Sequence, residues 1–217
     1  MAKRLSVVLA SGGIDSTVAA ALAAQHGPLA LLHLEYGQQA AGAERQAFEA
    51  VCEWLEPMHQ QVVSLGDWAG VADSPLLRPD GRLNDATTAG SSLLADSFVP
   101  MLSAAMLCRA AAWAYTLGAG RVLWGASLDN PSNDPGNADA ARLIAWQVIQ
   151  RSLPGETAPV LEAPLAQYTK AAVAALAADL DVPLEVTWSC LRAGPEPCRR
   201  CIGCVARAKA LAATSAR

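Results

Sequence analysis

The sequence lacks the features that mark a membrane protein, a secreted protein or a nucleic-acid-binding protein. In 217 residues no apolar run approaches the roughly 20 residues that span a bilayer. Lys3 and Arg4 lead directly into a short apolar segment, which is not the pattern of a signal peptide, so we expect a cytoplasmic protein. The 16 Lys and Arg are outnumbered by 20 Asp and Glu. The formal charge of −4 disfavours a broad surface that tracks nucleic-acid phosphates.

Common catalytic patterns are absent as well. The chain has three histidines and contains no Ser/His/Asp arrangement, no HExxH and no pair of carboxylates at helical spacing. His33 falls inside an apolar run, which predicts a hydrogen-bonded core histidine. The six cysteines of a chain expected in a reducing compartment predict thiols or metal ligands before disulfides.

The order of apolar and helical segments predicts the fold. Apolar runs alternate with helical patterns, which is typical of a Rossmann-like parallel α/β sheet with helices on both faces. We predict strands at 5–10, 29–34, 61–65, 121–125 and 160–163, and helices at 17–25, 43–55, 101–117, 138–152 and 169–180. The connection over 66–97 is long for a compact domain, which predicts a mobile lid or a disordered segment. We expect a main domain over 1–186 and a small C-terminal segment over 187–217.

The most informative motif is an SGGxDS loop between the first predicted strand and the first predicted helix. Its residues are Ser11, Gly12, Gly13, Asp15 and Ser16, followed by Thr17. Two glycines let the backbone approach an anion, and the amides and hydroxyls at the helix start can then bind it. The loop differs from the GxxxxGK[ST] loop of other nucleotide-binding proteins. It resembles the pyrophosphate loop of the ATP pyrophosphatases, and this resemblance implies that it binds the phosphates of ATP; an ordinary turn with a helix cap is the alternative.

A second motif lies near the C-terminus. Cys190, Cys198, Cys201 and Cys204 follow the spacing C-x7-C-x2-C-x2-C. Four thiolates without an open position are typical of a structural, tetrahedral zinc site, whose metal-binding free energy contributes to folding. An iron–sulfur cluster and unligated thiols are the alternatives.

The two motifs together resemble the 7-cyano-7-deazaguanine synthase family, a QueC-like branch of the PP-loop ATP pyrophosphatases. Further segments are similar to this family in order and spacing: residues 35–38 (EYGQ), 97–100 (SFVP), 163–165 (APL) with 169–170 (TK), and 187–190 (TWSC). The resemblance implies a ligase that uses two ATP to convert 7-carboxy-7-deazaguanine and ammonia into the nitrile, through an adenylated carboxylate and an amide. It also implies Mg²⁺, Zn²⁺ and a homodimer.

The resemblance suggests roles for individual residues. Asp15 and Ser16 are expected to act in catalysis, with Asp15 orienting the loop or binding Mg²⁺. Lys170 is expected to place a cation on the transferred phosphate or the leaving group; a lysine facing solvent is the alternative. Tyr36 and Gln38, just past the second strand, are expected to meet adenine or ribose, although a tight turn has the same sequence pattern.

The chain also departs from the family. Met101-Leu102-Ser103 stands where the family has Gly-Arg-Asn, and Gly136 replaces the aspartate of a Pro-Asp pair. Asp134 or Asp139 is the candidate replacement carboxylate for a guanine-like edge, and Trp188 is a candidate to stack on a planar base.

Three functional hypotheses follow from these matches and departures. The first is the family's synthase reaction. The second is a diverged relative that adenylates another carboxylate and ligates it to another amine, including one on a protein partner, or that stops at the amide. The third is a nucleotide-binding module without turnover.

Overall fold

The computed structural model describes residues 4–87, 98–129, 135–154 and 158–214, and it gives the backbone alone for 135–140. The strands are Ser6–Leu9 (β1), Leu29–Glu35 (β2), His59–Ser64 (β3), Arg121–Trp124 (β4) and Val160–Glu162 (β5). The helices are Ile14–His26 (α1), Ala41–Leu55 (α2), Leu102–Thr116 (α3), Pro135–Ser152 (α4), Lys170–Asp179 (α5) and Ile202–Thr214 (α6). Among these residues no helix is both long and apolar enough to cross a bilayer.

The strands form one parallel sheet in the order β3-β2-β1-β4-β5, which confirms the predicted fold class. The first strand is central, with Ser6 opposite Leu29 on one side and Arg121 on the other. The chain leaves β1 toward β2 and later returns on the other side of β1 with β4. Crevices at the carboxyl ends of two such strands are where open α/β sheets bind ligands.

Alternate residues of the strands face two separate cores. Val8 and Leu31 pack with α1, α2 and α5, whereas Val7 and Leu32 pack with α3 and α4. The strand residues are apolar on both faces because helices cover both faces, as parallel sheets require. Helix α6 packs against α5 and so connects the C-terminal segment to the face of the sheet that α1, α2 and α5 cover.

The first and last helices show the most informative differences from the sequence prediction, and the other helix bounds shift by up to three residues. Helix α1 begins at Ile14 and not at 17, since Gly13 is the extended N-cap and the polar Asp15 and Ser16 belong to the first helical turn. The sequence does not predict helix α6, because the spacing of the cysteines favours an irregular metal-binding loop in that segment. Its alanines, among them Ala206 and Ala210, are strong helix formers.

The long connection after β3 is packed over its described part. Residues 75–77 form a 3₁₀ turn, and Leu76, Leu77 and Leu83 bury their side chains with Val99 and Leu102. This packing corrects the disordered alternative for residues 66–87. Residues 88–97 lie outside the described residues.

Candidate functional site

The SGGxDS segment forms a turn held by its own hydroxyl groups. Ser16 Oγ donates to the Gly13 carbonyl at 3.0 Å and accepts from the Ser11 amide at 3.2 Å. Thr17 Oγ1 donates to the same carbonyl at 2.9 Å. The first residues of α1 therefore line the cleft with the amide groups and the positive dipole end of a helix N-terminus, which is a favourable environment for an anion.

Two glycines let neighbouring segments approach this turn closely. Gly12 has φ +79°, and a Cβ there would lie 2.7 Å from the Ala47 Cβ on α2. Gly125, directly after β4, would place a Cβ 2.7 Å from the Ser16 amide nitrogen. The absence of side chains at both positions brings the ends of β1 and β4 together with the start of α2.

Asp15 lies at the centre of a charged cluster in the cleft. Its Oδ2 accepts from Ser127 Oγ at 2.9 Å and from Lys170 Nζ at 2.5 Å. The Lys170 backbone amide donates to Asp129 Oδ1. Lys170 begins α5, where its positive charge opposes the helix dipole, and the two carboxylates offset that cost. The contact with Asp15 contradicts the alternative in which Lys170 faces solvent.

Tyr36 and Gln38 have different environments. Gln38 is buried; its Oε1 accepts from the Tyr36 amide and its Nε2 donates to Glu44 Oε2, both at 2.8 Å. Both polar ends of Gln38 thus serve the turn after β2, which is the tight-turn alternative. The Tyr36 side chain lines the cleft, and burial raises the pKa of its hydroxyl. Its contact with adenine or ribose stays a prediction.

The cleft at the ends of β1 and β4 is lined by both polar and apolar residues. The polar residues include Ser11, Asp15, Ser16, Glu44 and Lys170. The apolar residues include Leu76, Phe98, Val99, Leu102, Met106 and Trp124. The buried Trp124 Nε1 has no hydrogen-bond partner within the described part of the chain. The cleft therefore offers polar groups to a phosphate and apolar side chains to an aromatic or apolar group.

Two residues of the segment that departs from the resembled family line the cleft. Met101 is exposed and has φ +60°. This left-handed backbone conformation favours glycine, but here a residue with a side chain adopts it. Leu102 is buried in the wall and Ser103 lines the cleft. Asp134 lies outside the described residues, and Asp139 is placed only by its backbone, within α4.

The four predicted cysteines come together in space. Their sulfur atoms lie within 4.8 Å of one another, with Cys190 and Cys201 Sγ 3.9 Å apart and Cys198 and Cys204 Sγ 4.0 Å apart. A tetrahedral site with metal–sulfur bonds of about 2.3 Å has sulfur–sulfur edges of about 3.8 Å, so this arrangement fits a four-thiolate metal.

Backbone amides also point at these sulfurs. The Leu191 amide donates to Cys201 Sγ at 3.4 Å, and the Cys201 amide donates to Cys198 Sγ at 3.3 Å. Such hydrogen bonds favour the thiolate forms that a metal requires.

Trp188 joins the cysteine cluster to the phosphate loop. Its amide donates to the Gly12 carbonyl at 2.9 Å, and its indole Nε1 donates to the Cys190 carbonyl at 2.8 Å. The half-buried side chain also lines the cleft, where stacking on a planar base stays a prediction. Arg207 on α6 supports the same segment through Thr187 Oγ1 at 2.7 Å and the Leu184 carbonyl at 2.6 Å.

Three residues of the site carried no motif in the sequence. Ser127 follows β4, and the only available signal was its place at the carboxyl end of a central strand. Glu44 is an acidic residue in the first turn of α2, which is a common helix feature. Arg207 follows the last cysteine by three residues on a helix that was not predicted.

His33 is a core residue, as predicted. It is buried, its Nδ1 donates to the Ala10 carbonyl at 3.0 Å, and its ring stacks on Phe48 with centroids 5.2 Å apart. Burial lowers its pKa, so the neutral ring is favoured.

The sequence matches a known protein family along almost its whole length. The model of the family described as queuosine biosynthesis protein QueC matches residues 5–215. The chain is 31% identical over 208 residues to a 7-cyano-7-deazaguanine synthase of Chlorobaculum parvum, covering 95% of this chain and 91% of that protein. It is 31% identical over 208 residues to the synthase of the same name from Koribacter versatilis, with coverage of 94% and 87%.

Solved structures share the fold. The chain resembles NMN synthetase from Francisella tularensis with a TM-score of 0.51 and 19% identity, over 91% of this chain and 71% of that one. It also resembles the U34-tRNA thiolase NcsA from Methanococcus maripaludis with its [4Fe-4S] cluster, with a TM-score of 0.50, 16% identity and coverage of 100% and 67%. At these identities the likeness shows the architecture alone.

Proposed function

This chain belongs to the QueC family of queuosine biosynthesis proteins, and from that premise we propose that it makes 7-cyano-7-deazaguanine from 7-carboxy-7-deazaguanine and ammonia, using two ATP. The observation that carries the proposal is the meeting of the phosphate loop with Asp15 and Lys170 at the ends of β1 and β4. One ATP activates the acid as an acyl adenylate that ammonia converts to the amide. The second activates the amide oxygen, whose departure with AMP leaves the nitrile.

The phosphate loop holds the triphosphate during adenylation. The acid carboxylate attacks an anionic α-phosphate while pyrophosphate leaves, so the step needs positive charge more than proton transfer. The amide groups at the start of α1 bind the leaving pyrophosphate, and the Ser11 and Ser16 hydroxyls add donors. Mg²⁺, when bound to ATP, neutralises phosphate charge beside Asp15.

Lys170 provides the movable charge of the site. In the structure its Nζ is held by Asp15 Oδ2, which keeps the side chain in the cleft. A bound phosphate competes for the same ammonium group, which has three donor positions. Lys170 therefore serves both as partner of Asp15 and as donor to the transferred phosphoryl group.

We propose that the acid binds against the apolar residues of the cleft. Leu102, Met106 and Trp124 are candidates to contact a planar bicyclic base, with Trp188 near the loop. The unpaired Trp124 Nε1 is a donor for an acceptor atom of the base. Asp134 or Asp139 remains our candidate partner for the guanine-like donors.

The metal site has a structural role in this proposal. Four thiolates leave no open coordination position, so Zn²⁺ there holds Cys190, Cys198, Cys201 and Cys204 together without taking part in the reaction. The Trp188 link to Gly12 then fixes the phosphate loop. We propose zinc because all four ligands are thiolates at tetrahedral spacing; an iron–sulfur cluster is the alternative.

The reaction is tested by following AMP and nitrile. Purified metal-loaded protein, Mg²⁺–ATP, the acid and ammonium should give AMP, pyrophosphate and the nitrile by mass spectrometry. Asp15→Asn and Ser16→Ala should abolish AMP release and leave metal content and circular dichroism unchanged. No AMP from the wild-type protein over a wide range of ammonium and Mg²⁺ would refute the proposal, and full turnover in both variants would remove the loop from the mechanism.

One observation favours the alternative hypothesis, in which the chain is a diverged relative that acts on another substrate. Leu102 is a buried wall residue where the resembled family carries arginine, so this cleft has one polar contact fewer for its acid. A relative that adenylates a less polar carboxylate, and passes it to another amine or stops at the amide, would show AMP formation with other acids or an amide as final product. ATP binding without any AMP would indicate the non-catalytic nucleotide-binding module.

We also propose a homodimer through α4. Ala141, Ala145 and Ile149 bury one face of this helix against the core, while Leu143 and Trp146 are 55% and 45% exposed on other faces. A group of large apolar side chains left exposed on a helix often marks an interaction surface. A second copy of the chain is the cover that the family resemblance suggests.

A further inference from the structure

Glu44 is a cleft residue without a role in the reaction described so far. It lies in the first turn of α2, which packs directly on the phosphate loop. A Cβ on Gly12 would be 2.8 Å from the Glu44 carbonyl oxygen, and the Glu44 side chain lines the same cleft as Asp15 and Lys170. The carboxyl group therefore stands beside the place where the acid is activated.

The partners of Glu44 are neutral. Gln38 Nε2 donates to Glu44 Oε2 at 2.8 Å, and the Gln38 amide is itself oriented by the Tyr36 backbone. Arg45, the next residue, pairs with Glu35 at 2.8 Å and not with Glu44. Within the described ranges Glu44 makes no ion pair, so the site offers an oriented carboxylate to a cation from solution.

The surroundings of the Glu44 carboxyl group bring its pKa close to neutral pH. Burial is the largest cause that raises the pKa of Glu44 to about 7; the hydrogen bond from Gln38 opposes the rise, and the negative charge of Glu35 adds to it. Tyr36 is un-ionised, and Asp15 and Lys170 across the cleft neutralise each other in their ion pair. A general base is most effective when its pKa lies near the working pH.

Resting on the proposed function, we propose that Glu44 is the ammonia site: its carboxylate binds the ammonium ion and takes a proton from it. The resulting ammonia attacks the carbonyl carbon of the acyl adenylate, a C–N bond forms, and the C–O bond to AMP breaks. The attacking nitrogen then loses one more proton to solvent as the neutral amide forms. The proton on Glu44 also returns to solvent, so two protons leave for each ammonium consumed.

Asp15 is less suited to this task than Glu44. Its Oδ2 is already engaged by Lys170 and Ser127, and protonation would break the ion pair that holds Lys170 in the cleft. Glu44 can gain and lose a proton while Gln38 stays in place, because an amide donor binds either form of the carboxyl group.

The test separates adenylation from amide formation. In Glu44→Gln the introduced amide oxygen still accepts from Gln38, so the turn after β2 is kept. Acid-dependent exchange of pyrophosphate into ATP without ammonium should stay within about twofold of wild type, whereas ammonium-dependent amide formation at neutral pH should fall about 100-fold, within the usual contribution of a general base. Glu53→Gln, an exposed change on the same helix, is the matched control and should alter neither rate.

Two further measurements exclude a merely structural role. Hydroxylamine is largely unprotonated at neutral pH and needs no base, so Glu44→Gln should form the hydroxamate at nearly the wild-type rate. At fixed total ammonium, the variant should gain about tenfold in rate per pH unit below the ammonium pKa, because only free ammonia reacts, while wild type is flatter above pH 7.

Either of two results would overturn the inference: a parallel loss of exchange, amide and hydroxamate, or wild-type use of ammonium by the variant. Absence of acid-dependent exchange in the wild-type protein is a different failure, which would refute the proposed function and this inference with it.

Discussion

At the scale of single residues, the candidate site contains charges placed against local preference. Lys170 begins a helix, where a positive charge is disfavoured, and Asp15 lies in the first turn of another helix with only 7% of its surface exposed. Each residue makes the position of the other tolerable. Pairs of this kind are more typical of functional sites than of stability, since a desolvated ion pair adds little net folding free energy.

Replacing Lys170 by Met should harm the reaction and also reduce stability, because it removes the ammonium group that pairs with the buried Asp15 carboxylate. Methionine keeps most of the length of the side chain and removes the charge that faces Asp15 and the proposed phosphate. We expect AMP formation to fall about 100- to 1,000-fold, as when one electrostatic contact to a reacting group is lost. Lys209→Met on exposed α6 is the control, and a Lys170 variant with more than a third of wild-type turnover would contradict the assigned role.

Gly12 provides a test of backbone geometry at the loop. Ala there meets both a positive φ and contacts under 3 Å with α2, including backbone atoms of Glu44 and Phe48, so we expect a loss of about 2 to 4 kcal/mol in the free energy of unfolding. Gly37 has φ +86° with open space around it, and Gly37→Ala should lose only about 1 kcal/mol. Urea denaturation of both variants measures the difference; equal losses would mean that close packing at Gly12 is unimportant.

At the scale of elements, the site is made by the ends of β1 and β4 and by the starts of α1, α2 and α5. The positions of these elements follow from the parallel sheet, which places all carboxyl ends at one edge. The SGGxDS loop and the cysteine spacing were visible in the sequence because each is local. Ser127, Lys170 and Asp15 are far apart along the chain, so their contact could not be derived from spacing.

The C-terminal segment should transmit metal loss to the phosphate loop. Without metal, the four cysteines lose the bonds that hold them together, so we expect Cys190 to shift and the Trp188 amide to lose its hydrogen bond to the Gly12 carbonyl. We expect chelation to weaken ATP binding at least tenfold in calorimetry and to lower the thermal midpoint. Re-addition of zinc should restore both. Unchanged ATP affinity in metal-free protein would show that the hydrogen bond from Trp188 to Gly12 contributes nothing to the free energy of ATP binding.

At the scale of the whole molecule, exposed apolar side chains on α4 predict a homodimer. Val148 on α4 is 46% exposed, in addition to Leu143 and Trp146. Trp146→Glu should convert a dimer to a monomer in light scattering, because a charge in an apolar interface has no partner. Arg151→Glu, a polar change at the end of the same helix, is the control. A wild-type monomer at micromolar concentration would refute the dimer.

The sequence by itself determined the fold class, the family and the four-cysteine cluster, and it predicted the phosphate loop. These depend on apolar periodicity and on motifs within about fifteen residues, which are local properties of a chain. Tertiary structure decided the rest, since helix α6, the packed wall over 66–87, the Asp15–Lys170 pair and the bridge from Trp188 to Gly12 join distant segments. The Glu44 carboxyl is the clearest case: its sequence position is that of an ordinary helix acid, and only burial in the cleft with a neutral partner brings its pKa to about 7.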